Sequence, residues 1–345
     1  MRIFPAAFIL GALLGSVQFP VQLSAQQPTV LHAQFSATPA EGGLAATLAR
    51  EYRSTAPVWL GYSIPVEREF HTGSNTDRVT YLEGHDNSTR YGDDKDTTYD
   101  RVDILLRVAD GHVDKLHLAN PDQQLDAGGL RFVWLTDGTP ADSIRVFEGL
   151  ARAEGEKHLR DEAVFYISLH RAPEATPALA RLAAAGGDLG LREKAAFWLA
   201  NQRGHEGFLA IQKLAREDAD PQFREKLTFD LTLCHQPEAI DELIRMAKSD
   251  SSAKVRRQAQ FWMANLGGKK VTADLREAAE KDPDEAVRKS AVFALSRLPG
   301  DEAATQLIQI AKTSHDPVVR KQAVFWLGQS SDPRATDYLE ELLKQ

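Results

Sequence analysis

Few residues in this chain of 345 stand at spacings that chemistry would demand. Between Gly73 and Arg101 lie Asp77, Glu83, Asp86, Asp93, Asp94, Asp96 and Asp100, and carboxylate oxygens are the ligands calcium takes. The run Asp93-Asp94-Lys95-Asp96 nevertheless lacks the ligand alternation and closing Glu of an EF-hand loop, so it reads as solvated loop. His112 and His117 flank a turn, and in strands of period two an offset of five predicts opposite faces and no shared metal. Cys234 is the single cysteine, which rules out an intramolecular disulfide and a Cys-based metal cluster. No Gly-rich phosphate loop or nucleophile elbow occurs. Trp59, Tyr62 and Trp134 offer aromatic faces to a sugar or small ligand, although aromatic residues in strand-like segments read first as core. No residue set is therefore assigned a catalytic, cofactor-binding or metal-binding role.

The most regular residues recur by interval. Arg160, Arg192, Arg224, Arg256, Arg288 and Arg320 are spaced 32 apart, and five positions after each stands Phe165, Phe197, Phe229, Phe261, Phe293 or Phe325. A constant interval of this length marks a repeat architecture. Counting from the Arg, position −1 is apolar throughout, position +3 is Ala except at Leu227, and position +7 is Ile, Leu or Met. At 100° per residue these fall within about 80° of arc, the buried stripe of one helix. A second apolar series at +22 (Leu182, Leu214, Met246, Ala278, Ile310, Leu342) predicts a second helix in each repeat. Asp188, Asp220, Asp284 and Asp316 stand where a carboxylate caps the first turn, and Pro221 and Pro317 follow at the first helical position. Leu150 falls at the second-helix position of an incomplete earlier repeat, a solitary helix that would cap the stack. The chain is thus expected to be mainly α, with an α-solenoid of about six helix-turn-helix repeats over 140–345.

The series Val-Arg-x-x-Ala-x-x-x-Leu-Gly, fullest at Val319, Arg320, Ala323, Leu327 and Gly328, resembles bacterial HEAT-like repeats of the short type found in phycobilisome-lyase-related proteins. That resemblance implies a binding surface. Deoxyhypusine hydroxylase, a HEAT-type enzyme, uses His-Glu pairs just after the repeat Arg. Here those positions hold Asp161-Glu162, Glu193-Lys194, Glu225-Lys226, Arg257-Gln258, Lys289-Ser290 and Lys321-Gln322, and the one His-Glu pair, His205-Glu206, falls in an inter-helix turn. Iron chemistry of that kind is not expected.

Residues 26–139 read as a small α+β domain with an antiparallel sheet of four or five strands. Leu44, Leu48 and Tyr52 space a helix over Gly43 to Arg53. Strands are expected at 58–64, 79–82, 102–109, 113–118 and 130–135, with Asp110-Gly111 closing a hairpin. At the N-terminus, Arg2, the apolar run Ile3 to Val17 and Leu23-Ser24-Ala25 predict a cleaved export signal over 1–25. The expected location is periplasmic or secreted, with no integral membrane segment after cleavage. A formal charge of −8 argues against a general nucleic-acid or anionic-membrane binder.

The functional expectation is an exported, non-catalytic scaffold or adaptor whose partner is another protein or peptide. The alternative is an envelope enzyme or sugar-binding protein with its site around Trp59, Tyr62 and Trp134. Position +5 lies about 160° from the buried stripe, so the six Phe point elsewhere. Phe197, Phe229, Phe261, Phe293 and Phe325 are expected beside the concave face as a partner surface, the competing use being packing between repeats. Arg257, Lys289 and Lys321 flank the last three rings, whereas the first three repeats carry mostly acidic residues there.

Overall fold

The computed structural model describes residues 27–70, 79–84, 98–184 and 186–344. The segment expected to be an export signal, and Asp77, Asp86, Asp93, Asp94 and Asp96 of the acidic stretch, lie outside them. No helix among the described residues is long and apolar enough to cross a membrane.

The N-terminal part consists of β1 (Thr29–Leu31), β2 (Gln34–Thr38), α1 (Gly43–Glu51), β3 (Val58–Phe70), β4 (Thr80–Tyr81), β5 (Tyr99–Ala109), β6 (His112–Ala119), β7 (Gln124–Asp126) and β8 (Arg131–Leu135). The expected hairpin is β5 and β6. Asp110 and Gly111 have φ of 50° and 79°, the two left-handed positions that a two-residue turn of this hand requires. The five-stranded sheet runs β2-β8-β3-β5-β6, and it is mixed rather than antiparallel, because β8 pairs parallel with both β2 and β3. The reason is the connection: β7 leaves for a separate small sheet, β1-β7-β4, so the chain reaches β8 by a crossover instead of a tight turn.

The register also corrects the two histidines. A shift between Arg107 and Val108 pairs His112 with Ala109 and His117 with Leu105, which puts both on one face. An extra residue in β6 reverses the parity that strict alternation would give. They stand four β5 residues apart, about 13 Å at strand rise, too far to share an ion.

Fourteen helices in all are described, and thirteen follow the sheet. A solitary α2 (Pro140–Arg152) is capped by Thr139 Oγ1, 3.2 Å from Asp142 N. Six pairs come after it: α3 (Lys157–Leu169) with α4 (Ala175–Ala183), α5 (Leu189–Gln202) with α6 (Gly204–Glu217), α7 (Pro221–Leu233) with α8 (Ala239–Ser249), α9 (Ala253–Gly267) with α10 (Thr272–Lys281), α11 (Glu285–Ser296) with α12 (Glu302–Thr313), and α13 (Pro317–Gly328) with α14 (Pro333–Leu343). Asp188, Asp220, Asp284 and Asp316 each accept a backbone N–H of the following first turn at 2.8–3.1 Å. Positions −1, +3 and +7 are buried in every first helix apart from Leu159. In the second helices the expected series holds in part: Leu182, Met246 and Ile310 are buried, Leu214 and Ala278 are half-buried and Leu342 is exposed, whereas Leu179, Ile211, Leu243, Leu275 and Leu307, at +19, are all sealed.

Sheet and solenoid share one continuous core, in which Tyr62, Ile64 and Ile104 meet Phe147, Tyr166 and Ile167. At its centre Tyr62 Oη lies 2.6 Å from Ser143 Oγ, and His170 Nε2 lies 2.8 Å from the same oxygen. His170 Nδ1 is 2.8 Å from the Tyr166 carbonyl, which can only accept, so Nδ1 carries the proton and Nε2 accepts from Ser143. Tyr62 then donates to Ser143. The far end of β3 reaches past the sheet edge: Arg171 donates to the carbonyls of Pro65 and Val66 at 3.0 and 2.9 Å, and Arg68 donates to that of Asn201 at 3.2 Å.

Candidate functional site

Consecutive first helices (α3, α5, α7, α9, α11, α13) pack against one another along the whole stack, whereas consecutive second helices touch sparsely. In a curved stack the more closely spaced layer is the inner one, so the first helices line the concave side. The six Phe stand on that layer. Phe165, Phe197, Phe261 and Phe293 are half-buried, Phe229 is 38% exposed and Phe325 is 53% exposed.

The rings do not stand alone. Trp198, Trp262 and Trp326 occupy position +6 in every second repeat, and each lies against the Phe of the repeat before it: Phe165–Trp198 at 4.5 Å, Phe229–Trp262 at 5.1 Å and Phe293–Trp326 at 4.9 Å between centroids. Each also meets its own neighbour edge-on, Phe197, Phe261 or Phe325. Phe261 and Phe293 stack at 6.4 Å with 8° between planes. The result is one aromatic run from Phe229 to Phe325 and another around Phe165, Phe197 and Trp198. The rings thus pack between repeats, and Phe229 and Phe325 in addition keep exposed surface. The indoles went unremarked in the sequence because their interval is 64, two repeats, and a pattern aligned on 32 averages them away.

Between the two runs position +6 is Asp230, which is buried and whose carboxyl is pushed up to about 7, first by desolvation and then by Glu193. The flanking charges differ in their pairing along the stack. Asp161 faces Lys194 at 3.5 Å and Glu162 faces His158 at 3.3 Å near the first repeat. Toward the last, Arg257 and Lys321 are exposed with no ion pair among the described residues, and Lys289 meets Glu285 at 2.7 Å.

The repeat Arg has a role that the register alone did not disclose. Arg224 clasps Asp250 at 2.8 and 2.9 Å, Arg256 clasps Asp282 at the same distances, Arg288 reaches Asp316 at 2.8 Å, and Arg192 contacts Asp218. The remaining guanidinium nitrogen donates to the carbonyl six residues back, as Arg224 does to Asp218 and Arg256 to Asp250, each at 2.8 Å. Arg160, Arg192, Arg224, Arg256 and Arg288 thus reach from one inter-repeat turn to the next, whereas Arg320 in the last repeat donates to its own turn, at the Ser314 carbonyl. Planar two-pronged donation to a carboxylate suits this geometry, which a Lys cannot reproduce.

The other candidates are closed. Trp59, Tyr62 and Trp134 are at most 1% exposed, so no ring face there is open to a ligand, and Trp59 Nε1 donates to Glu83 at 2.8 Å. Tyr62, Ser143 and His170 resemble a hydroxyl-and-base arrangement, yet all three are sealed. Burial lowers the His170 pKa to about 4, with Arg203 adding to the effect. Cys234 is buried and its thiol is pushed up to about 12 by desolvation, which removes thiolate reactivity at neutral pH. Among the described residues no group of His, Cys, Asp and Glu could hold a metal.

Fold and surface together define a helical-repeat solenoid with an aromatic inner face. HEAT repeats match residues 208–296, 240–325 and 272–345. The chain is a HEAT-like repeat protein over that region. No curated protein matches it. Among solved structures, human deoxyhypusine hydroxylase in complex with glycerol is similar at 18% identity, over 60% of this chain and 80% of that one, with a TM-score of 0.33. The complex of CpcE and CpcF of phycocyanin lyase from Nostoc sp. PCC7120 gives 17% identity, 45% and 98% coverage, and a TM-score of 0.34. The YibA protein of Escherichia coli gives 18%, 60% and 79%, with 0.36. Likenesses this distant say nothing of what this chain binds or does.

Proposed function

We propose that this chain is an exported, non-catalytic scaffold that holds a protein or peptide partner against the inner layer of first helices. The reading rests on one observation: Phe229 and Phe325, large apolar rings on the layer that lines the groove, stay 38% and 53% exposed, whereas every other Phe, Tyr and Trp among the described solenoid residues is buried or half-buried. Exposed aromatic surface on a concave face is the kind of patch that marks protein contacts. The exposed Arg257 and Lys321 beside it favour an acidic segment of the partner toward the last repeats, acting on association rate and register more than on affinity. No integral membrane segment is part of this reading, and no nucleic acid is its partner.

A photo-crosslinking amino acid placed at 229, 325 and, as a control on a second helix, 209 tests the proposal. One and the same polypeptide should be trapped from 229 and 325 in cells and not from 209. Phe261→Ala with Phe293→Ala should lower the yield, and Lys289→Glu with Lys321→Glu should slow capture. Equal trapping from all three positions, or Phe variants that lower only the melting temperature, would remove the groove as the partner surface.

A further inference from the structure

The groove opens with a hollow of about 650 Å3 between the start of α3 and the middle of α5. Phe165 and Trp198 form one wall, their rings 4.5 Å apart and tilted by 33°. Asp161, Glu162, His158 and Lys194 form the other, and Glu156 and Lys157 also border the hollow. Lys194 and Asp161 are paired with each other at 3.5 Å. Glu162 is not so satisfied. Its Oε1 lies 3.3 Å from His158 Nε2, but Oε2 is shut off from solvent and has no hydrogen-bond donor. Among the lining residues three carboxylates stand against two ammonium groups.

A buried carboxylate oxygen without a donor is a cost that a bound cation would relieve. Aromatic faces attract the same kind of group and accept an alkyl stem along their surface. A neutral apolar ligand would satisfy only the rings, and an anion would meet Glu162 unfavourably. Resting on the scaffold reading above, we propose that this hollow receives a lysine or arginine side chain of the partner. Rotation of the Glu162 carboxylate turns Oε2 from its sealed position into the hollow to meet the charged head, and the methylenes lie along Phe165 and Trp198. A basic residue held at the first repeats and an acidic segment held near Arg257 and Lys321 would give the partner one direction along the groove.

The full chain labelled with 5-fluorotryptophan provides the test, since Trp198→Phe identifies the Trp198 signal among five. Acetyl-Gly-Arg-Gly-amide or its lysine counterpart should move that signal saturably, whereas the norleucine and glutamate peptides should not. Glu162→Gln should weaken the response at least fivefold while the other tryptophan signals hold their positions, and Phe165→Leu should weaken it as well. Desolvation raises the Glu162 pKa, so binding should strengthen as pH rises and that carboxyl ionises. An equal response to norleucine, an undiminished response in both variants, or shifts as large at Trp262 and Trp326 would overturn the assignment. The titration uses no partner, so its failure leaves the crosslinking map intact, and failure of the map leaves the titration intact.

Discussion

At the scale of the residue, the molecule carries buried titratable groups with opposite tendencies. His170 is held near pKa 4 in the fold and returns to about 6.5 when unfolded, so the unfolded chain binds the extra proton. Its contribution is complete above about pH 6.5 and is lost as pH falls toward 4, on the order of 3 kcal/mol. Asp230 works the other way. With a carboxyl raised to about 7 it favours the fold at low pH and costs stability as pH rises through that value. Asp230→Asn should therefore be more stable than the parent at pH 8, by about 1–3 kcal/mol, and indistinguishable from it near pH 3. Urea titrations at the two pH values read this, and a penalty at pH 8 would mean that the charge is used. Ala259 and Ala291 are fully buried, and enlarging either should cost roughly 1–3 kcal/mol, while Gln258→Ala and Gln322→Ala should stay within about 0.5 kcal/mol.

At the scale of the element, the arginine staples and the helix spacing carry the argument. Asp250 is 4% exposed and holds Arg224, which is 9% exposed, whereas Asp188 is 60% exposed beside Arg160. Asp250→Asn should cost about 2–4 kcal/mol by stranding a buried guanidinium, and Asp188→Asn less than about 1 kcal/mol. Similar losses at both sites would show that the staple is not what joins the repeats. Gly207 occupies the place where other repeats carry Ala or Val, and there an added methyl would run into the Leu199 carbonyl, so Gly207→Ala should separate α5 from α6 and lower the melting temperature. These elements were legible in unequal measure. Helix pairs and caps could be read from the interval, because burial and capping act within a turn or two. The partner of each Arg could not, since it lies 26 or 28 residues on and is fixed by how repeats stack. In the sheet, β8 ran against expectation because parallel pairing depends on a crossover that alternation does not encode, and the bulge at Arg107 and Val108 reversed the histidine faces for the same kind of reason. The Phe row was visible, while the indoles that complete it were hidden by their doubled interval.

At the scale of the whole molecule, the shared core ties the sheet to the first repeats through Tyr62, Ser143 and His170, whereas the last helix holds on lightly. In α14 Ala335 is the one buried residue, Leu342 is 39% exposed and Leu343 is 87% exposed. Stability in a stack is the sum of each unit and its contacts with neighbours, so opening should start at α14 and finish at the junction. Amide exchange should be fastest in α14 and slowest in α3 and β3. Protection falling instead from the sheet outward would mean that the sheet domain is an appendage.

The alternation of Phe and Trp means that this solenoid counts in twos. An indole at position +6 needs the Phe of the preceding repeat, and three such couples are set 64 residues apart. Lengthening the chain by one copy of α7 and α8 ahead of α9 would give Trp262 a duplicate Phe229 to rest on but would leave two successive repeats without an indole. Inserting a doublet would keep the parity, so the unit that can be duplicated or removed without changing the pattern of the groove is the pair of repeats.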